Sequence, residues 1–156
     1  MRPYLLLLLL LLASAPLWSE VKFTQIGAPL ASTSGVLSCW LVEGGNPSRA
    51  VVIKVTGLTA KGESNVALGP NELVRLREAC DRAKANKTRL KKGQIVLLES
   101  IPSGENKLDV ALVRPDASVL AVLVAHEGQK EHTFMLEAGN RQALGKLLDK
   151  ALKTLQ

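Results

Sequence analysis

The stretch EHTFMLEAGNRQALGKLLDKALKTL, Glu131–Leu155, reads as a strand that runs into an amphipathic helix. An earlier stretch, ESNVALGPNELVRLREACDRAKANK, Glu63–Lys87, repeats that plan at an offset of 68 residues (131 − 63). Laid over one another without gaps, Glu63 falls on Glu131, Val66 on Phe134, Leu68 on Leu136 and Leu76 on Leu144; Asp81 falls on Asp149 and Ala83 on Ala151. The match extends upstream, where Pro47 falls on Pro115, Val51 on Val119 and Val55 on Leu123. The shared apolar positions recur every second residue and then switch to a period of 3.6, the signature of strand followed by helix. A repeat of this kind fixes architecture, because each copy must bury the same faces in the same way.

Working outward, the second copy carries strand patterns over residues 94–101, 107–113, 118–126 and 131–136. They are separated by Pro102-Ser103-Gly104, Arg114-Pro115-Asp116 and Glu127-Gly128, all residues of turn chemistry. Leu144, Leu147, Leu148, Ala151, Leu152 and Leu155 then recur at helical spacing, with a start near Gly139-Asn140. The first copy follows with strands over 21–26, 36–42, 50–56 and 65–68 and a helix opening at Gly69-Pro70-Asn71-Glu72 and running to Ala85. Proline at the first helical position forfeits no hydrogen bond, and Glu72 suits the positive end of the helix dipole. Residues 29–35 read as a flexible loop. The expected fold is α+β: two ββββα repeats, antiparallel sheets packed with helices on the outside. Residues 20–86 form repeat 1 and residues 93–156 repeat 2 of a single domain spanning 20–156.

One strand is apolar on both sides: Val119, Ala121 and Leu123 lie on one face, Leu120, Val122 and Val124 on the other. A strand of that kind is covered twice. One helix per four strands supplies one cover, so the partner repeat's sheet or a second molecule must supply the other.

The paired strand-to-helix junctions Val66-Ala67-Leu68-Gly69-Pro70 and Phe134-Met135-Leu136-Glu137-Ala138, with four strands before each, give a pattern that resembles PUR-repeat proteins and, more loosely, Whirly-type single-strand-binding folds. That resemblance is topological and covers nearly the whole chain after the leader. It implies sheets from the two repeats packed together with helices outside, and aromatic residues offered on sheets, for which Trp40 is the main candidate here.

Residues 1–19 read as a secretory signal peptide. Arg2 precedes an unbroken block Leu5–Leu12, and the small residues Ala13-Ser14-Ala15 follow. Eight leucines fall short of the roughly 20 residues of a spanning helix, and cleavage after Ser19 fits better than cleavage before Pro16. Val36-Leu37-Ser38-Cys39 imitates a lipobox but lies too far beyond the leucine block. The expected location is secreted or periplasmic, with no integral membrane segment after cleavage.

In an exported chain the two cysteines, Cys39 and Cys80, lead to the expectation of one disulfide, with two buried thiols as the alternative. Such a bond would staple the first helix to its own sheet and add roughly 3–4 kcal/mol by the chain-entropy model.

Charge is concentrated. Arg75, Arg77, Arg82, Lys84, Lys87, Arg89, Lys91 and Lys92 face only Glu78 and Asp81 between residues 75 and 92. The local balance of +6 equals the formal net charge of the whole chain. This segment, with Arg75, Arg82, Lys84, Lys87, Arg89, Lys91 and Lys92 as the contacts, is a candidate polyanion or nucleic-acid binder; a solvated helix face is the plainer reading, and its connector offers no aromatic for base stacking. Trp40 is either core or a partner or ligand contact. His126 and His132 flank one turn with Glu127 and Glu131 and read as exposed turn residues, since their spacing matches no compact metal motif. Asn86-Lys87-Thr88 fits a glycosylation sequon. There is no nucleophile-elbow, phosphate-loop or dinucleotide pattern. The expectation is therefore an exported, non-catalytic binding or protein-interaction module, with a homodimer, a protein or a polyanion as partner and no catalytic residue, cofactor or metal assigned. A small secreted enzyme is the remaining alternative.

Overall fold

A computed structural model describes residues 20–44, 49–58, 62–85 and 89–156. Residues 1–19, read above as a signal peptide, Lys87 and the sequon at Asn86 lie outside the described residues. The first unit comprises β1 (Lys22–Gln25), β2 (Leu30–Ala31), β3 (Gly35–Glu43), β4 (Arg49–Gly57), β5 (Glu63–Leu68) and α1 (Pro70–Ala85). The second comprises β6 (Ile95–Ser103), β7 (Asn106–Val113), β8 (Leu120–Glu127), β9 (Lys130–Leu136) and α2 (Ala138–Leu155). All pairings are antiparallel. The first sheet runs β1-β3-β4-β5, with β2 also on β3, and the second runs β6-β7-β8-β9. The fold is thus α+β, with two ββββα units.

Side-chain alternation along each strand divides the sheets into inner and outer faces. Leu37, Cys39 and Leu41 of β3, Val51, Ile53 and Val55 of β4, and Val66 and Leu68 of β5 are buried inward. The second sheet contributes Leu108, Val110, Leu112, Ala121, Leu123, Ala125, Phe134 and Leu136. Both sets belong to one continuous core, in which β5 packs on β8 and β4 on β9. Each large aliphatic or aromatic side chain sealed there contributes about 1.5–3 kcal/mol.

The helices are exchanged between the units. α1 lies across β6 and β7 of the second sheet, and α2 lies across β2, β3 and β4 of the first. The inner face of each sheet is therefore covered by the other unit's strands and by the other unit's helix. The row that α1 buries is Leu73, Leu76, Ala79 and Ala83.

This exchange overturns the expected Cys39–Cys80 disulfide: both thiols are free. Cys39 faces inward on the first sheet, whose helical cover is α2, whereas Cys80 sits on α1, over the second sheet. Ala79, not Cys80, takes the inward place on α1, and Cys80 turns toward α2. Burial pushes both thiols up to about 12, which favours the protonated form at neutral pH.

Residues 29–35 are likewise not a free loop. Leu30 and Ala31 pair with Leu37 and Val36, and the next residues are tied to the start of α2. The Glu137 carboxylate accepts from the Thr33 backbone N–H at 2.9 Å and from its Oγ1 at 2.6 Å. Ser34 Oγ accepts from the Met135 N–H at 2.8 Å. Gly35 closes this segment because a Cβ there would lie 2.3 Å from the Thr56 carbonyl oxygen.

Candidate interaction surfaces

On the outward face of the first sheet, register sets Gln25 opposite Trp40, Trp40 opposite Val52 and Val52 opposite Ala67. One row along, Ser38, Lys54 and Asn65 stand side by side. Phe23, opposite Val42 on the edge strand β1, lies diagonally from Trp40 and is 62% exposed. Phe23, Trp40, Val52, Lys54, Glu63 and Asn65 line one open groove of about 450 Å³. The Trp40 indole N–H donates to Ser38 Oγ at 3.0 Å, which fixes the ring's orientation on the sheet. Lys54 and Glu63 neutralise one another at 2.7 Å, and that contact holds the Glu63 carboxyl below its ordinary range. The groove is an aromatic floor with a polar, charge-balanced rim, the anatomy of a contact patch built around aromatic anchors. Of the two readings of Trp40, buried core or surface, the structure places it half-buried on this open face.

Of the seven described cations of the basic segment, four are paired with carboxylates. A β-bulge between Leu97 and Glu99 makes Leu98 an extra residue and sets Glu99 opposite the core residue Val110, on the side where α1 lies. Glu99 then accepts from Arg75 at 2.6 Å and from Arg82 at 2.7 Å, bonds that hold its carboxyl below the usual range. Lys92 pairs with Asp116 at 3.1 Å. Arg77 binds Asp81 one turn on and reaches Asp149 of α2 at 3.0 Å. Lys84, Arg89 and Lys91 are exposed and pair with no carboxylate among the described residues. Lys84 lines a cleft of about 220 Å³ between the helices together with Arg77, Cys80, Arg141 and Lys146.

The histidines differ from the expectation of exposed turn residues. Gly128 and Gln129 make a two-residue turn, so His126 pairs with Glu131 and His132 with Ala125, on opposite faces of the sheet. His132 points inward, is 5% exposed, and meets Ser64 with Nδ1 2.8 Å from Oγ. Ser64 is the residue that the 68-residue offset places on His132. Arg77 behaves likewise: its counterpart is Gly145, and a Cβ on Gly145 would lie 3.4 Å from the guanidinium carbon of Arg77. Equivalent positions touch one another in both places, as they do across a two-fold axis.

His126, half-buried on the outer face, joins a cluster that sequence reasoning missed. Asp109 accepts from Ser100 Oγ at 2.6 Å and Lys107 Nζ at 2.7 Å, with His126 Nε2 at 3.0 Å. Burial raises the Asp109 carboxyl, but the Lys107 and Ser100 bonds outweigh it and the net shift is downward. The alternation that put Leu108 and Val110 inward already placed Asp109 on the other face; only the register supplied its partners. Among the described residues, no three His, Cys, Asp or Glu side chains are placed to hold a metal ion, and no helix is long and apolar enough to cross a membrane.

Neither a protein-family model nor a curated protein sequence matches this chain.

Proposed function

We propose that the protein is an exported, non-catalytic interaction module whose contact face is the outward side of the first sheet. The observation that carries this reading is the groove in which Trp40, oriented by Ser38, and the exposed Phe23 stand over Val52 beside a neutralised Lys54–Glu63 pair. A half-buried tryptophan with an exposed phenylalanine beside it, bordered by polar groups, concentrates binding energy when a partner seals both from water. With no net charge on the face, its partner is an uncharged polypeptide segment that places apolar side chains on Trp40 and Phe23. The leader-like residues 2–15 support export, and the resemblance to PUR-repeat proteins favours the same use of sheet aromatics.

Selection of a displayed random-peptide library on the immobilised protein tests this. Enriched peptides carrying aromatic or aliphatic anchors, whose binding is lost in the Phe23→Ala/Trp40→Ala variant and is insensitive to salt, are the expected result. Enrichment that is equal on that variant would overturn the reading. The second reading, polyanion binding, rests on the exposed Lys84, Arg89 and Lys91. Salt-sensitive retention on heparin, abolished when all three become alanine, would support it; retention unchanged in that variant would remove it.

A further inference from the structure

We propose that two copies of this chain associate weakly through the outward face of the second sheet. Its rows are Ile95, Val113 and Leu120, then Leu97, Ala111, Val122 and Met135. At 70% and 56%, Ile95 and Leu97 are among the most exposed large apolar side chains described, and both lie on the edge strand β6. Beside them, Ala111 and Val122 are short and recessed, each 4% exposed. One face thus carries projecting side chains at its edge beside a low, closed surface, a relief that two copies related by a two-fold axis can pack edge over centre. Charge agrees. The apolar rows hold no ionised group; the polar end of the face carries one cation and two carboxylates, Lys107, Asp109 and Glu131, a net of −1 (1 − 2) that lies away from the rows that would pack.

Edge strands β5 and β6 differ in the same way. Edge strand β5 is covered by its neighbours. Glu127 accepts from the Asn65 N–H at 3.1 Å, Asn106 donates to the Asn65 carbonyl at 3.1 Å, and Ser103 donates to the Ala67 carbonyl. At the start of β6, Ile95 and Leu97 project into solvent instead.

Size places the contact in the weak class. Four strands about 4.8 Å apart and seven residues at about 3.4 Å give a face of at most roughly 450 Å². Two such faces bury at most roughly 900 Å², below the standard size of specific complexes and in the range of weak, transient contacts.

Sedimentation equilibrium of the protein across about 1–300 µM tests the proposal. The weight-average mass should climb from one chain toward two. Ile95→Lys and Leu97→Lys should hold it at one chain with an unchanged thermal midpoint, because both side chains are exposed, and Phe23→Ala should associate like the parent. A mass of one chain throughout, association unaffected by the lysine variants, or association lost in Phe23→Ala would overturn it.

Discussion

Across the first sheet one outward row reads Gln25, Trp40, Val52 and Ala67; across the second, the corresponding row reads Leu97, Ala111, Val122 and Met135. The next row is Ser38, Lys54 and Asn65 in one sheet and Ser100, Asp109, Val124 and Thr133 in the other. Inward, by contrast, both sheets present mostly aliphatic side chains to one shared core, with Phe134 in the second where the first has Val66. Where the copies must pack on each other they stay alike; where they face solvent one becomes an aromatic groove with a balanced ion pair and the other an aliphatic surface. The comparison separates the shared core from the two outward faces.

Among polar and charged side chains the equivalence breaks at two points where the copies touch. Ser64 meets His132, and Arg77 crosses α2 over Gly145 to Asp149. A symmetric pair at either place would put two like side chains against each other. One serine and one histidine instead share a single hydrogen bond, and one arginine is given room by one glycine.

The comparison can be broken by substitutions of decreasing effect. Phe134→Ala empties the largest fully buried side chain and should cost about 3–5 kcal/mol in urea unfolding, whereas Val66→Ala at the equivalent place should cost about 2 kcal/mol. Equal losses would deny that the two inner faces differ in how much core each supplies. Ser64→Ala leaves His132 Nδ1 buried without its partner and should cost about 1–3 kcal/mol. In a cycle with His132→Phe the two substitutions should couple by at least about 0.5 kcal/mol, and additivity would show that they do not communicate across the axis.

Glu99→Gln should lower stability by about 0.5–1 kcal/mol at neutral pH. The Glu99 carboxyl is depressed in the folded chain, so its contribution is present above the unfolded value near about 4.3 and is lost as pH falls through the folded value. The gap between parent and variant should therefore close in acid, and a gap constant between pH 7 and pH 2 would refute the ion-pair account. Smallest of all, Phe23→Ala should change stability by no more than about 0.5 kcal/mol, because its ring is largely exposed. A larger loss in thermal unfolding would make the groove part of the core.

Much of the secondary structure was legible because it rests on period: alternation gave eight of the strands, and the 3.6 spacing with Pro70 gave α1 to within its observed bounds. β2 was not legible, since two residues carry no alternation; it exists through pairing with Val36 and Leu37 and through the Glu137–Thr33 bonds. Periodicity also says which face of a helix is apolar but not what covers it. That is why a Cys39–Cys80 staple was expected although α1 lies over the other unit's sheet. Alternation did place Trp40 opposite Cys39, but Phe23, Lys54, Glu63 and Asn65 became its neighbours only through strand order and register. For Ser64 and His132 the signal was present, because the 68-residue offset already set one upon the other.

The most direct test of the division between an aromatic contact face and an aliphatic one is a ¹H–¹⁵N NMR titration with a peptide selected on the protein, performed at a concentration where the chain is monomeric. The account predicts that the Trp40 indole N–H and the amides of β1, β3, β4 and β5 shift with added peptide while those of β6 to β9 stay in place. Shifts confined to β6–β9 or to α1, with the Trp40 indole unmoved, would contradict it.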